Sequence, residues 1–144
     1  MKAADIRPFR MADYDSVVRL WAEAELPYRP GGRDSRERIR KEMRLKRSIF
    51  LVAEAEGKLA GTILATHDGR KGWLNRLAVA RSYRRRGLAR RLVEDAERRL
   101  EALGLDVTAC LIEADNSVSM KLFESLGYEK WDGFYYSKRK SAGS

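Results

Sequence analysis

Cysteine is almost absent from this chain. Cys110 is the only one and His67 the only histidine, so an internal disulfide is excluded and a Cys/His zinc site lacks ligands. Three prolines are scattered singly, and no Pro/Gly/Ser linker, repeat or low-complexity block divides the chain, apart from a frayed tail expected at Ser141–Ser144. Long hydrophobic runs are missing too: the longest, Ile49 to Ala53, is far short of the ~20 residues a membrane span needs. The N-terminal stretch MKAADIRPFR has no apolar segment of the signal-peptide kind. Together these absences predict a soluble, cytoplasmic protein with no metal and no membrane partner. What is present bounds the rest. At 144 residues one domain over 1–144 is expected, and 44% hydrophobic residues supply a core despite 35% charged ones, which excludes wholesale disorder. Lys plus Arg number 30 against 21 Asp plus Glu, a net charge of +9 and a pI near 9.9. Such an excess points to nucleic acid, a phosphate ligand or an acidic surface.

Ile6 to Phe9 reads as a first strand, and Asp13 as the N-cap of a helix carrying Tyr14, Val17, Val18 and Trp21 at helical spacing. Pro27–Gly32 breaks it. A second helix is expected from Asp34, with Glu37 completing a capping box. That helix has a thin apolar stripe (Ile39, Met43) and eight Lys/Arg between Arg33 and Arg47, so it belongs at the edge of the fold. SIFLVAEA, the turn Glu56-Gly57-Lys58 and LAGTILATH make a hairpin. After a turn at Asp68-Gly69, Trp73 to Ala80 is the next strand. Gly87 to Leu103 is the clearest amphipathic helix, ended by Gly104. A strand at Leu105–Ile112, a helix at Ser117–Leu126 and a last strand at Phe134–Lys138 complete the order β-α-α-β-β-β-α-β-α-β, a mixed sheet flanked by helices.

The informative segment is LAVARSYRRRGLARRLVEDAERRL, Leu77 to Leu100. An apolar strand runs into a basic loop, and one glycine opens a long helix. Backbone N–H groups at a helix N-terminus have no intrahelical partner and carry positive partial charge, and glycine lets an anion approach them closely. The junction therefore suits a phosphate or pyrophosphate, with Arg84, Arg85, Arg86, Arg90 and Arg91 adding side-chain charge. It is neither a Walker loop nor a dinucleotide fingerprint, because GxxxxGK[ST] is absent and only one glycine of GxGxxG is present.

Arg84-Arg85-Arg86-Gly87-Leu88-Ala89 resembles the Q/R-x-x-G-x-G/A signature of the GNAT superfamily of N-acetyltransferases, in the matching strand–loop–helix context. Asn116 to Tyr128 resembles that family's second block, N-x-x-A-x-x-x-Y-x-x-x-G-F/Y. The resemblance covers about residues 4–138 and is nearest to small bacterial or archaeal members, including the ribosomal-protein alanine acetyltransferase type. It implies a GNAT-like α/β (α+β) fold: a mixed, mostly antiparallel sheet of six to seven strands, four flanking helices, and central fourth and fifth strands that splay apart. It implies acetyl-CoA as cosubstrate, its pantetheine arm along Leu77, Ala78 and Val79. The Val79 N–H would hold the oxygen of the reacting thioester. Pyrophosphate would meet the N–H groups of Arg85, Arg86, Gly87, Leu88 and Ala89, with Arg84 as a side-chain partner, while Asn116 and Phe123 would line the thiol end. The acceptor would be a primary amine, on a small molecule or on a protein or peptide, attacking directly in a ternary complex. A homodimer is a common assembly in the family.

One position departs from the pattern. The family's general-acid tyrosine falls on Phe123, which has no proton to give. Tyr128 is the substitute within reach of the sequence, and water is the other. The fourth strand has no carboxylate, so Glu113, just past the fifth, is the first candidate for the base and His67 the second. Plainer readings stand beside these: Glu113 as a solvated carboxylate, His67 as a structural histidine, Cys110, Phe123 and Leu126 as core packing, Trp73 and Trp131 as core or rim. The competing function is a catalytically impaired GNAT-fold module binding RNA or ribosome through its basic surface. The chain has neither an RNP-type motif nor aromatics interleaved with its arginines, so nucleic acid is not the expected partner.

Overall fold

The computed structural model describes residues 3–140, so the tail expected at Ser141–Ser144 lies outside the described residues. Five strands form one sheet in the order β1-β2-β3-β4-β5: β1 (Asp5–Pro8), β2 (Ser48–Ala55), β3 (Lys58–His67), β4 (Gly72–Val79) and β5 (Thr108–Cys110). The first four pair antiparallel in sequence; β5 runs parallel to β4, so the sheet is mixed. Four helices flank it: α1 (Tyr14–Glu23), α2 (Arg36–Arg44), α3 (Leu88–Ala102) and α4 (Ser117–Ser125).

The apolar run in β2 is continuous because both faces of the sheet are covered. Leu51, Ala53 and Ala55 pack toward Leu88, Leu92, Val93, Ala96 and Leu100 of α3 and Phe123 of α4. Phe50 and Val52, one residue out of phase, pack toward Val17, Leu20 and Trp21 of α1 and Ile39 of α2. α3 lies close on the sheet: a Cβ at Gly61 would sit 2.9 Å from Leu92 Cδ1 and 3.0 Å from the Ala78 carbonyl. The β2–β3 connection is a two-residue turn, Glu56 and Gly57, both left-handed, as a type I′ hairpin requires.

Several expectations are corrected. The sheet has five strands among the described residues, not six to seven, because the strand expected at 134–138 does not form. Phe134, Tyr135 and Tyr136 are 86%, 69% and 89% exposed, so the segment buries neither face that would pin it to a sheet. The strand expected over 105–112 is cut to Thr108–Cys110, because its ladder with β4 ends at the Leu74–Cys110 pair. Asp13 occupies the N-cap position of α1, as expected, but its side chain makes no cap bond to the helix. Its carboxylate accepts from the Arg10 N–H at 2.8 Å and pairs with Arg7 at 2.9 Å, closing a 3-10 turn (Met11–Asp13) ahead of the helix. The cap of α2 is Ser35, whose hydroxyl accepts from the Arg38 N–H, and Asp34 is buried.

Candidate active site

β4 is the strand that organises the site, because its two edges are treated differently. On one side it pairs with β3 from Gly72 to Val79, interrupted at Arg76 and Leu77; on the other it meets β5 only from Gly72 to Leu74. Asn75 to Val79 are therefore left without a strand partner on that side, an open splay between β4 and β5, which is here the edge strand and not a central one. The Ala80 N–H donates to the Ala60 carbonyl at 2.8 Å, which makes Val79–Gly61 a pair whose N–H groups point away from each other. The Val79 N–H and C=O consequently face the splay. The carbonyl accepts from Arg84 Nε at 3.1 Å.

The chain leaves β4 through a 3-10 turn (Arg81–Tyr83), becomes left-handed at Arg85 (φ 63°) and again at Gly87 (φ 76°), and enters α3. No side chain caps α3, and its first backbone bond runs from Arg91 N–H to the Gly87 carbonyl at 3.1 Å. The amides of Leu88, Ala89 and Arg90 thus have no intrahelical acceptor and point out of the helix end. Nothing lies within 4 Å of where a Gly87 Cβ would be, so the approach to them is clear. The five arginines expected there do not all gather. Arg84 reaches back to Val79 and Arg86 lies 5.6 Å from the Tyr83 ring, while Arg85 is exposed. Arg90 bonds Ser125 of α4 and Arg91 bonds the Ala4 carbonyl beside β1.

The other predicted residues divide into two groups. Asn116 caps α4, its Oδ1 accepting from the Ser119 N–H, and the exposed Glu113 lies three residues past the end of β5. Phe123 is buried in the α3-side core, edge-on to Tyr128 with ring centres 5.0 Å apart. Tyr128 and His67 sit elsewhere. The Tyr128 hydroxyl donates to Glu97 at 2.6 Å and is 2.8 Å from the Thr108 hydroxyl. Burial, and then the Glu97 carboxylate, push its pKa well above the usual tyrosine range. Thr108 pairs with Gly72, seven residues before Val79, or roughly 20 Å along the strand at ~3.3 Å per residue. The structure therefore does not bring Tyr128 to the Val79 amide. His67 pairs with Gly72 at that same far end, and its Nδ1 accepts from the Gly69 N–H. Burial pushes the Cys110 thiol up to about 11, leaving it protonated and a poor nucleophile near neutral pH.

Sequence reasoning missed a buried polar group beside this strand. Arg76 lies in mid-β4, and its guanidinium is bonded to Asp34 and to the Pro27 carbonyl, both before α2. The available signal was an arginine inside an otherwise strand-like run, Trp73 to Val79. Of two open clefts, about 320 Å³ between β1 and α3 and 510 Å³ between α1 and the β2–β3 hairpin, the first is lined by Arg91, and neither contains any other predicted catalytic or cofactor residue. Among the described residues no helix is long and apolar enough to cross a membrane, and no three His, Cys, Asp or Glu side chains gather to hold a metal.

Residues 14–128 match the family model of the Acetyltransferase (GNAT) family. Solved structures of similar shape include the PaiA N-acetyltransferase from Thermoplasma acidophilum in complex with coenzyme A, with a TM-score of 0.81, 19% identity, and 92% of this chain and 94% of that one covered. The aminoglycoside N-acetyltransferase AAC(6′)-Iy, in complex with a bisubstrate analogue, has a TM-score of 0.80 at 21% identity, covering 96% and 99%. Glucosamine-6-phosphate N-acetyltransferase from Arabidopsis thaliana has a TM-score of 0.77 at 19% identity, covering 97% and 100%.

Proposed function

Because the chain belongs to the GNAT family of acetyltransferases, we propose that it transfers an acetyl group from acetyl-CoA to a primary amine by direct attack within a ternary complex. The observation that carries this reading is the continuity of the unpaired β4 edge, Asn75–Val79, with the uncapped, glycine-entered N-terminus of α3. An extended amide-bearing arm ending in a pyrophosphate fits that shape: one part needs a strand edge, the other a cluster of free N–H groups.

The main chain of Leu77, Ala78 and Val79 takes the pantetheine arm, and the amides of Arg85 to Ala89 take the pyrophosphate, with Arg84 and Arg86 beside it. Arg84 then exchanges its bond to the Val79 carbonyl for a phosphate oxygen. Asn116 and Phe123 border the thiol end. The cosubstrate supplies the activated acetyl group; the chain positions it and holds charge. The Val79 N–H faces the oxygen on which charge develops as the amine attacks. Glu113 is the base for the ammonium proton. It is exposed and follows the end of β5 by three residues, on the segment that borders the open edge of β4, in support of that role. Phe123 has no proton to give and the Tyr128 proton is held by Glu97, so the leaving thiolate is protonated from water. We take 1–144 as one catalytic domain of the cytoplasm, with a small molecule or a peptide as acceptor.

Calorimetry with acetyl-CoA, followed by a thiol-release screen over amines and peptides, tests the reading. Binding in the micromolar range and thiol release that depends on one class of amine are expected. Absence of binding at millimolar acetyl-CoA would sink it.

A further inference from the structure

Arg76 combines two features that cost stability at one position. It is left-handed (φ 56°) though not glycine, and it sits in a bulge. Leu64 pairs with Asn75 and Thr62 with Ala78, so Arg76 and Leu77 together oppose the single residue Ile63. Its side chain is only 10% exposed, and burial works against the guanidinium's charge. Such strain persists only where the surroundings over-determine it.

They do so from three elements. Thr62 of β3, fully buried, donates its hydroxyl to the Arg76 carbonyl at 2.9 Å and accepts from the Trp21 indole N–H at 3.1 Å. The guanidinium lies 4.9 Å from the centre of the Trp21 ring on α1. Its two arms bond the Pro27 carbonyl and the Asp34 carboxylate, at either end of the loop between α1 and α2. Asp34 is held in turn by the Arg29 N–H at 2.8 Å, and its carbonyl accepts from the Tyr14 hydroxyl at 2.6 Å. One side chain thus ties both ends of the loop to the bulge, three residues before Val79. Asp34, otherwise a ready ligand for an incoming ammonium, is neutralised.

We propose that Arg76 and Asp34 are a positioning pair: they fix the α1–α2 loop against the β4 bulge, and so set the side from which the acceptor amine reaches the acetyl group. This rests on the reading that transfer takes place along β4. A buried ion pair adds little net stability over a matched uncharged pair, whereas breaking it by removing one partner leaves an orphan charge. The informative variant therefore removes both charges: Arg76→Met with Asp34→Asn.

Three readouts on that double variant separate the outcomes. Acetyl-CoA affinity by calorimetry should stay within about threefold, because the Arg76 side chain turns to Pro27, Asp34 and Trp21 and the cosubstrate takes main chain from Leu77 to Val79 and at α3, while the KM for the amine should rise about tenfold or more. Chymotryptic cleavage after Tyr28, followed by mass, should accelerate about tenfold at an unchanged melting temperature. Arg76→Lys, which keeps the charge facing Asp34 but has one arm instead of two, should fall between the two, and it serves if the double variant does not fold. Wild-type KM together with wild-type cleavage in a folded double variant would overturn the proposal and leave the pair as packing. Failure of the wild-type protein to bind acetyl-CoA would sink the transferase reading instead, while the cleavage rates still judge the clamp.

Discussion

Two stretches of this chain carry the same charge and are built in opposite ways. From Arg81 to Arg99 there are eight Lys/Arg against three acids, and from Arg33 to Arg47 again eight against three, a net of +5 in each. At the first, α3 opens from a left-handed glycine with no cap and three amides unspent, next to a strand edge without a partner. At the second, the Ser35 hydroxyl takes the Arg38 amide, and the preceding Asp34 is paired to Arg76. The arginines of α2 are exposed, and among the described ion pairs the helix contributes one, Arg36 with Asp15. Equal charge therefore does not mean equal chemistry. A compact polyanion needs converging N–H donors at a helix end, and of these two regions the first has them. The second is a cationic rim.

The largest effect expected from this difference is at Gly87. Gly87→Glu forces a side chain into a left-handed residue and aims a carboxylate at the free amides, so acetyl-CoA affinity should fall on the order of 100-fold by calorimetry. Replacing Arg84, Arg85 and Arg86 together by Ala removes charge but leaves the amides. The KM for acetyl-CoA should then rise about tenfold with kcat within about twofold, and its salt dependence should shrink. An unchanged KM would reject the phosphate cradle and erase the distinction between the two regions.

The cradle was legible in the sequence because its parts are local: an apolar strand, a basic loop, one glycine and an amphipathic helix within 24 residues, Leu77 to Leu100. The hairpin and both long helices were legible for the same reason. What failed depends on distant partners. Phe134–Lys138 has strand-forming residues but no sheet to join, and the Leu105–Ile112 strand is shortened by how far β4 follows it. The roles of Asp34 and Arg76 are set by a contact across 42 positions, so Asp34 read as a cap and Arg76 passed as one more residue of the strand from Trp73. Tyr128 stood only five residues from Phe123, yet its hydroxyl turns to Glu97 and Thr108.

A smaller effect tests the capped side. Ser35→Ala unmakes the bond to the Arg38 amide and should cost about 1 kcal/mol, a fall of roughly 3 °C in melting temperature. Acetyl-CoA affinity should not change. A loss of affinity approaching that of Gly87→Glu would mean that the entrance of α2 takes part in holding the cosubstrate.

The smallest effect carries the opposite sign. Arg36, Arg40 and Arg44 follow one another at four-residue spacing along α2, all exposed, so Arg40 has a like-charged neighbour one turn away on each side. Arg40→Glu turns both into attractive pairs, the one with Arg44 better oriented because the acid then precedes the base, and turns the Glu37–Arg40 attraction at three-residue spacing into a repulsion, for a net gain of about 0.5–1 kcal/mol. The protein should melt roughly 2–3 °C higher at low salt, with the gain shrinking as salt is added. If α2 were a second phosphate cradle, the same change would weaken acetyl-CoA binding. As a rim, it should leave affinity within about twofold, because its arginines contribute only screened charge at a distance from the helix end that holds the anion.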